Sequence, residues 1–236
     1  MMLKKLNLFS QKDVDTLITH TNPHSIISEE FKTLRTNIQF AMANSPLQTL
    51  MVTSANEGEG KTTISANTAM SFAQQGKKVL LVDSDMRNPT LHKLFQVKNK
   101  SGLSNLLSDP YLSFSQVFQP TPHSNLTLLT SGPNPSNPAE LMDSDQMNEL
   151  IEKFKDEFQL IIFDMPPILP VSDSQIMAAR VDGTVFVIRS GSTDKKDLLK
   201  AKELLQYAKA TIIGAVLNDK KNKKLSKSDY YGYGVG

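Results

Sequence analysis

Cysteine is absent from all 236 residues, which excludes a disulfide framework and thiolate metal ligation and fits a reducing compartment. Histidine is scarce: His20, His24, His92 and His123 are scattered, none at the spacing of a zinc site. No apolar run reaches the length of a membrane span. The opening "MMLKKLNLFSQKDVDTL" has too short and interrupted an apolar stretch for a secretory signal. These absences predict a cytoplasmic chain whose membrane role comes through a partner. The formal net charge is only +2, too small to argue for nucleic acid, and none is expected as a partner. There is no internal repeat.

Apolar residues make up 39% and charged residues 21%, the balance of a globular chain that can bury a sizeable core. From residue 48 onward, apolar β-branched runs alternate with helical patterns: "TLMVTS", "KVLLVDSD", "LTLLTSG", "FQLIIFDMP", "GTVFVIRS" and "TIIGAVLN". Near-continuous runs suit strands covered on both faces, so the alternation predicts an α/β fold with a doubly wound, mostly parallel sheet. Ahead of this core, Ile27, Phe31, Leu34 and Ile38 repeat at helical spacing and predict an amphipathic helix. Glu29, Lys32 and Arg35 step by three along another face, a pattern that by itself fits a solvated face with weak ion pairs. "SGPNPSNPAE" reads as a proline-stiffened loop ending near a helix start.

The strongest chemical signal follows the first of these strands. In "VTSANEGEGKTT", residues 52–63, Gly58 and Gly60 let backbone N–H groups turn inward around phosphate oxygens, and a following helix adds its positive end. Lys61 then reaches the β- and γ-phosphates and Thr62 can ligate Mg²⁺. Ala55 departs from the strict phosphate-loop pattern, which wants glycine there. "VLLVDSDMRNP" sets Asp83 and Asp85 at one strand end, and "LIIFDMPP" sets Asp164 at another. Aspartates after strands often serve only as caps or turn formers. Three beside a phosphate loop fit a Mg²⁺–nucleotide site, because this hard cation takes oxygen ligands.

The end of the chain is unusual. Lys220, Lys221, Lys223, Lys224 and Lys227 form a run that fits a solvated linker. They precede "DYYGYGVG", where Tyr230, Tyr231 and Tyr233 account for three of the five tyrosines. Such an end is either an untethered low-complexity terminus or a substrate.

Together, "ANEGEGKT", "LLVDSDMRNP", "IIFDMPP", "EEFKTLRTNI" and the tyrosine tail resemble the bacterial tyrosine kinases that act with exopolysaccharide and capsule assembly systems. The resemblance runs from about residue 22 to the end. It implies a P-loop NTPase of the partition and septum-site ATPase lineage. Its segments would be an N-terminal arm and oligomerisation helix (1–44), a kinase core (45–218) and a flexible tail (219–236). It further implies a nucleotide cradle of Glu57, Gly58, Glu59, Gly60, Lys61, Thr62 and Thr63 for ATP, with Lys61 as the γ-phosphate clamp. Mg²⁺ would be held by Thr62, Asp85 and Asp164, Asp83 would act as base toward tyrosine, and Asn218 would contact adenine. Tyr230, Tyr231 and Tyr233 would be autophosphorylated. Glu29, Lys32 and Arg35 match a ring-forming motif of glutamate and two arginines, with lysine in place of the first arginine. The implied partners are a transmembrane adaptor that recruits the chain to the inner face of the membrane, a cognate tyrosine phosphatase and other protein substrates. The competing reading is an ATPase switch of the partition or septum-site type, which hydrolyses ATP without phosphorylating protein. Its deviant loop carries a lysine where this chain has Asn56.

Overall fold

Each of the six apolar runs forms a strand, and the side chains of each alternate between two cores. The computed structural model describes residues 7–8 and 17–219; the tail tyrosines and the lysine run lie outside the described residues. In chain order the elements are β1 (Asn7–Leu8), α1 (Ile18–Thr21), α2 (Ile26–Ala41), β2 (Thr49–Ser54), α3 (Lys61–Gln74), β3 (Val79–Asp83), α4 (Leu91–Leu94) and α5 (Leu103–Ser108). They continue with β4 (Phe118–Pro120), β5 (Leu126–Leu129), α6 (Pro138–Asp143), α7 (Asp145–Glu157), β6 (Leu160–Asp164), α8 (Asp173–Ala178), β7 (Gly183–Arg189), α9 (Lys195–Tyr207) and β8 (Ile212–Asn218).

The strands form one sheet in the order β1-β8-β7-β2-β6-β3-β5-β4. All neighbours are parallel except β4, which runs antiparallel to β5. Leu50, Val52, Val79, Leu81, Leu160 and Ile162 face one apolar cluster, shared with α1, α2 and α3. Their neighbours Met51, Leu80, Val82, Ile161 and Phe163 face the other, beneath α5, α7, α8 and α9. This two-sided burial explains why the runs are apolar throughout rather than alternating. Phe72 of α3 is fully buried in the first cluster, and truncating such a ring to alanine costs about 3–5 kcal/mol.

The helix read from Ile27, Phe31, Leu34 and Ile38 is α2. Phe31, Leu34 and Ile38 are buried, and they join the same cluster as Leu50 and Phe72. Its start is fixed by Ser25, whose hydroxyl accepts the Ser28 N–H at 3.1 Å, one of the orphan donors a helix start must satisfy. Two strands escape the apolar-run pattern: β1 has two residues, and β4 is a three-residue edge strand ending in proline. Among the described residues no helix is long and apolar enough to cross a membrane.

The fold gathers the charged motifs because connections diverge at β2. The chain leaves β2 for β3 on one side, then returns from β6 past β2 to β7 on the other. The carboxyl ends of strands flanking such a divergence are where open α/β sheets bind ligands.

Candidate active site

Between β2 and α3 the backbone turns through Gly58 (φ +72°) and Gly60 (φ +96°). Both lie in the left-handed region that glycine adopts without steric cost. Gly60 is doubly constrained, since a Cβ there would lie 2.1 Å from Asn218 Nδ2. Gly60 is also the cap of α3 and offers no side-chain cap, which leaves the first amides of a 14-residue helix free to receive an anion. Lys61, on the first turn, is 8% exposed.

The loop is braced from behind. Glu59 is buried, its Oε2 accepting the N–H groups of Ala55 (3.0 Å) and Asn56 (3.3 Å), while its Oε1 accepts the Thr193 hydroxyl at 2.6 Å. The Glu59 side chain therefore faces inward, and what it can offer a nucleotide is its backbone amide. Asn218 donates from Nδ2 to the Glu59 carbonyl at 3.0 Å and keeps a buried Oδ1 without a partner. Asn56 donates to Asp197 of α9 at 2.9 Å, and the Glu57 carboxylate accepts from Asn88 at 3.3 Å. Ala55, at the position where the strict pattern has glycine, is fully buried.

The three aspartates meet beside this loop. Asp83 and Asp164 end adjacent strands and stand directly opposite one another in register; both are buried, as is Asp85. Asp83 Oδ2 accepts the N–H groups of Thr90 (3.1 Å) and Leu91 (3.0 Å), whereas Asp83 Oδ1 has no partner. Burial, followed by the charge of Asp164, holds the Asp83 carboxyl well above the usual carboxylate range; its two backbone hydrogen bonds pull the other way and Asp85 adds to the rise. Burial likewise pushes Asp164 up to about 6, against the pull of the Lys61 charge and hydrogen bonds from Thr62 and Ser65, the last at 2.9 Å. Asp85 accepts the Asn88 N–H at 2.9 Å.

Three buried acids gather here, with the Lys61 charge acting on Asp164 and the Arg87 charge, already forked to Asp173, reaching Asp85, so positive charge is in deficit. Among the described residues, no three His, Cys, Asp or Glu side chains form a ready metal nest, so a cation here would draw further ligands from Thr62, water and nucleotide phosphates. The deficit and the unpartnered Asp83 Oδ1 fit a divalent cation bound together with a nucleotide.

Other residues of the site carry no conspicuous motif. Arg87 makes a two-bond fork to Asp173, Nε to Oδ2 and Nη2 to Oδ1, both at 3.0 Å, and so ties the loop after β3 to α8. Arg87 stands in the quoted "DSDMRNP" run, but Asp173 reads in sequence as an ordinary helix start. The Thr90 and Thr62 hydroxyls are 2.9 Å apart. Away from the site, Lys32 pairs with Glu29 of its own helix at 2.7 Å. Arg35 instead turns onto α3, donating from Nη1 to the Ser71 carbonyl at 2.8 Å. These three residues therefore do not share one solvated face.

Comparison with known proteins agrees with this geometry. A family model described as "AAA domain" matches residues 47–190. The chain is 47% identical over 216 residues to the Bacillus subtilis tyrosine-protein kinase YwqD, covering 92% of this chain and 91% of that protein. It superposes on the crystal structure of the chimerical protein CapA2B2 with a TM-score of 0.87 at 37% identity, covering 93% and 96% of the two chains. A lower likeness, with a TM-score of 0.61 at 26% identity over 72% of this chain and 71% of the other, links the fold to the cell division ATPase MinD of Pyrococcus furiosus. With a phosphate loop and a buried acidic cluster at one sheet edge, and relatives of nearly its full length named for this activity, the chain belongs to the bacterial tyrosine kinases, enzymes that phosphorylate protein tyrosine on a P-loop ATPase fold.

Proposed function

We propose that this kinase transfers the γ-phosphoryl group of ATP to Tyr230, Tyr231 and Tyr233 of its own kind of chain, and that the unpartnered Asp83 Oδ1 is the atom that takes the tyrosine proton. Lys61 and the loop amides of residues 57–63 hold the β- and γ-phosphates, with Asn218 Oδ1 free toward the base. Thr62, Asp85 and Asp164 would hold Mg²⁺, which supplies charge neutralisation of the phosphates. In the transfer the phenolic oxygen forms a bond to the γ-phosphorus, the bond from the γ-phosphorus to the β–γ bridging oxygen breaks, and ADP leaves. The phenolic proton passes to Asp83. A carboxylate held above its ordinary range is a better proton acceptor for a group with a pKa of about 10 than an ordinary surface aspartate.

The three segments have separate roles in this reading. Residues 45–218 carry the chemistry. Residues 1–44 contribute the helix through which copies associate into a ring, with Glu29, Lys32 and Arg35 at or beside the contact. Residues 219–236 present the substrate. A coil of 18 residues would span roughly 23 Å on average and about 60 Å at full stretch, a length that would bring a neighbour's site within reach. Each modified tyrosine adds about −1.5 to −2 charges, and several would loosen the ring until a phosphatase removes them. The setting is polysaccharide or capsule synthesis, on the cytoplasmic face of a membrane, with a membrane adaptor as activator and other proteins as further substrates.

Against the ATPase-switch reading, the side chain at the deviant-lysine position is Asn56, engaged by Asp197 of its own chain. Incubation of the purified protein with Mg-ATP, followed by intact mass and peptide mapping, decides between them. The kinase reading predicts mass added in phosphate steps on the tail tyrosines. ADP release with no added mass would overturn it in favour of the switch.

A further inference from the structure

The last described residue, Asp219, has φ +55°, a conformation that costs a non-glycine residue free energy unless its surroundings hold it. Arg189, at the end of β7, holds it: Nε and Nη2 both donate to Asp219 Oδ2, at 3.1 and 3.0 Å. The remaining arm of the same guanidinium, Nη1, donates to the carbonyl of Gly58 in the phosphate loop at 3.0 Å. One planar group thus ties the loop to the residue from which the tail departs. A lysine cannot reproduce this, because its single ammonium lacks the fork.

The tie is part of a closed circuit. The Arg189 N–H donates to the Thr193 hydroxyl at 2.9 Å, and that hydroxyl donates to Glu59. Asn218 donates to the Glu59 carbonyl and accepts the Ser190 N–H on its own carbonyl at 2.8 Å. Gly58 and Glu59 are therefore fixed from the side that carries Asp219. A carbonyl held outward at Gly58 keeps the N–H of the same peptide plane, that of Glu59, turned inward toward the phosphate position.

We propose that Arg189 is a positioning residue that couples the phosphate loop to the root of the tail, so that nucleotide in the loop stiffens residues 217–219 and release of Asp219 weakens nucleotide binding. The coupling is reciprocal, as any linkage of two binding equilibria must be. It rests on the reading of the loop as the nucleotide site.

The test measures Mg-ADP affinity with a fluorescent analogue, and hydrogen exchange of residues 212–219 with and without Mg-ADP. The proteins are the full chain, Arg189→Gln, Arg189→Lys, Asp219→Asn and the double variant Arg189→Gln/Asp219→Asn; melting without nucleotide monitors the fold. Charged hydrogen bonds of this kind predict about tenfold weaker binding for Arg189→Gln, with no recovery in Arg189→Lys. A smaller loss is expected for Asp219→Asn, adding nothing in the Arg189→Gln background. Mg-ADP should slow exchange at residues 217–219 in the wild type and not in Arg189→Gln. Unchanged affinity together with undiminished protection in Arg189→Gln would overturn the coupling, as would additive losses in the double variant. A wild type that binds no Mg-ADP would instead overturn the nucleotide-site reading itself.

Discussion

The two edges of the sheet each carry an aspartate in a polar setting, and the two are treated differently. At the amino edge, Asp182 Oδ2 accepts from Gln48 N (2.9 Å), Thr49 N (2.8 Å) and the Thr49 hydroxyl (2.9 Å). At the carboxyl edge, Asp83 lies fully buried opposite Asp164 with one oxygen bare. A satisfied carboxylate stitches strands together. A buried acid left half satisfied costs stability, and such a cost marks a group kept for chemistry or for a ligand.

That comparison breaks most visibly at Lys61. Lys61→Met should lower tyrosine transfer roughly 100- to 1,000-fold, the scale on which a preorganised charge-stabilising donor is lost, and abolish stabilisation by Mg-ATP; thermal shift and phosphate transfer check both. The next contrast is in stability. Asp182→Ala should cost about 1–3 kcal/mol by urea unfolding, because it leaves part-buried backbone donors unpaired, with Mg-ADP affinity unchanged. Asp83→Asn should be neutral or stabilising at pH 7.5, since it removes a group whose ionised form burial penalises and keeps a carbonyl for Thr90 and Leu91.

The acidic edge also predicts a pH slope. Between its ordinary value of 3.8 and its folded value of about 6, Asp164 holds a proton when folded that it lacks when unfolded. Its stabilising contribution is present below that window and declines as pH rises through it, on the order of 3 kcal/mol in all. In chelator, therefore, Asp164→Asn should flatten the fall in unfolding free energy between pH 4 and 7, and Mg-ADP should offset that fall in the wild type. The smallest effect is expected on the outer helix. Glu29→Ala breaks an exposed pair within one helix and should cost under about 1 kcal/mol. Alanine at Glu29, Lys32 and Arg35 together should reduce particle mass by light scattering, and an unchanged mass would remove these residues from the assembly reading.

The strands of the core, α2 and the phosphate loop were legible because each rests on local chemistry: continuous apolar runs, helical spacing, or glycines before a lysine. Asp83 and Asp164 were legible as strand ends, whereas Asp85, read as part of the same strand end, lies in the loop two residues past β3. β4 was not, since "FQP" is too short to show a pattern and its pairing is set by β5. Nor was the bracing of the loop. Glu59 reaches Thr193 across 134 positions and Arg189 reaches Gly58 across 131, and no local pattern reports a partner that far along the chain. Arg35 shows the same limit, because its step of three with Glu29 and Lys32 suggested a shared face, while its guanidinium is taken by the Ser71 carbonyl.

The central claim is that the bare oxygen at the carboxyl edge is the proton acceptor of a tyrosine kinase. Its most direct test is Asp83→Asn in a single-turnover transfer assay to the tail tyrosines, run beside a Mg-ADP titration. The account predicts wild-type nucleotide affinity with transfer slowed about 100-fold or more, the upper part of the range for a lost general base. Transfer at the wild-type rate, with affinity intact, would contradict it.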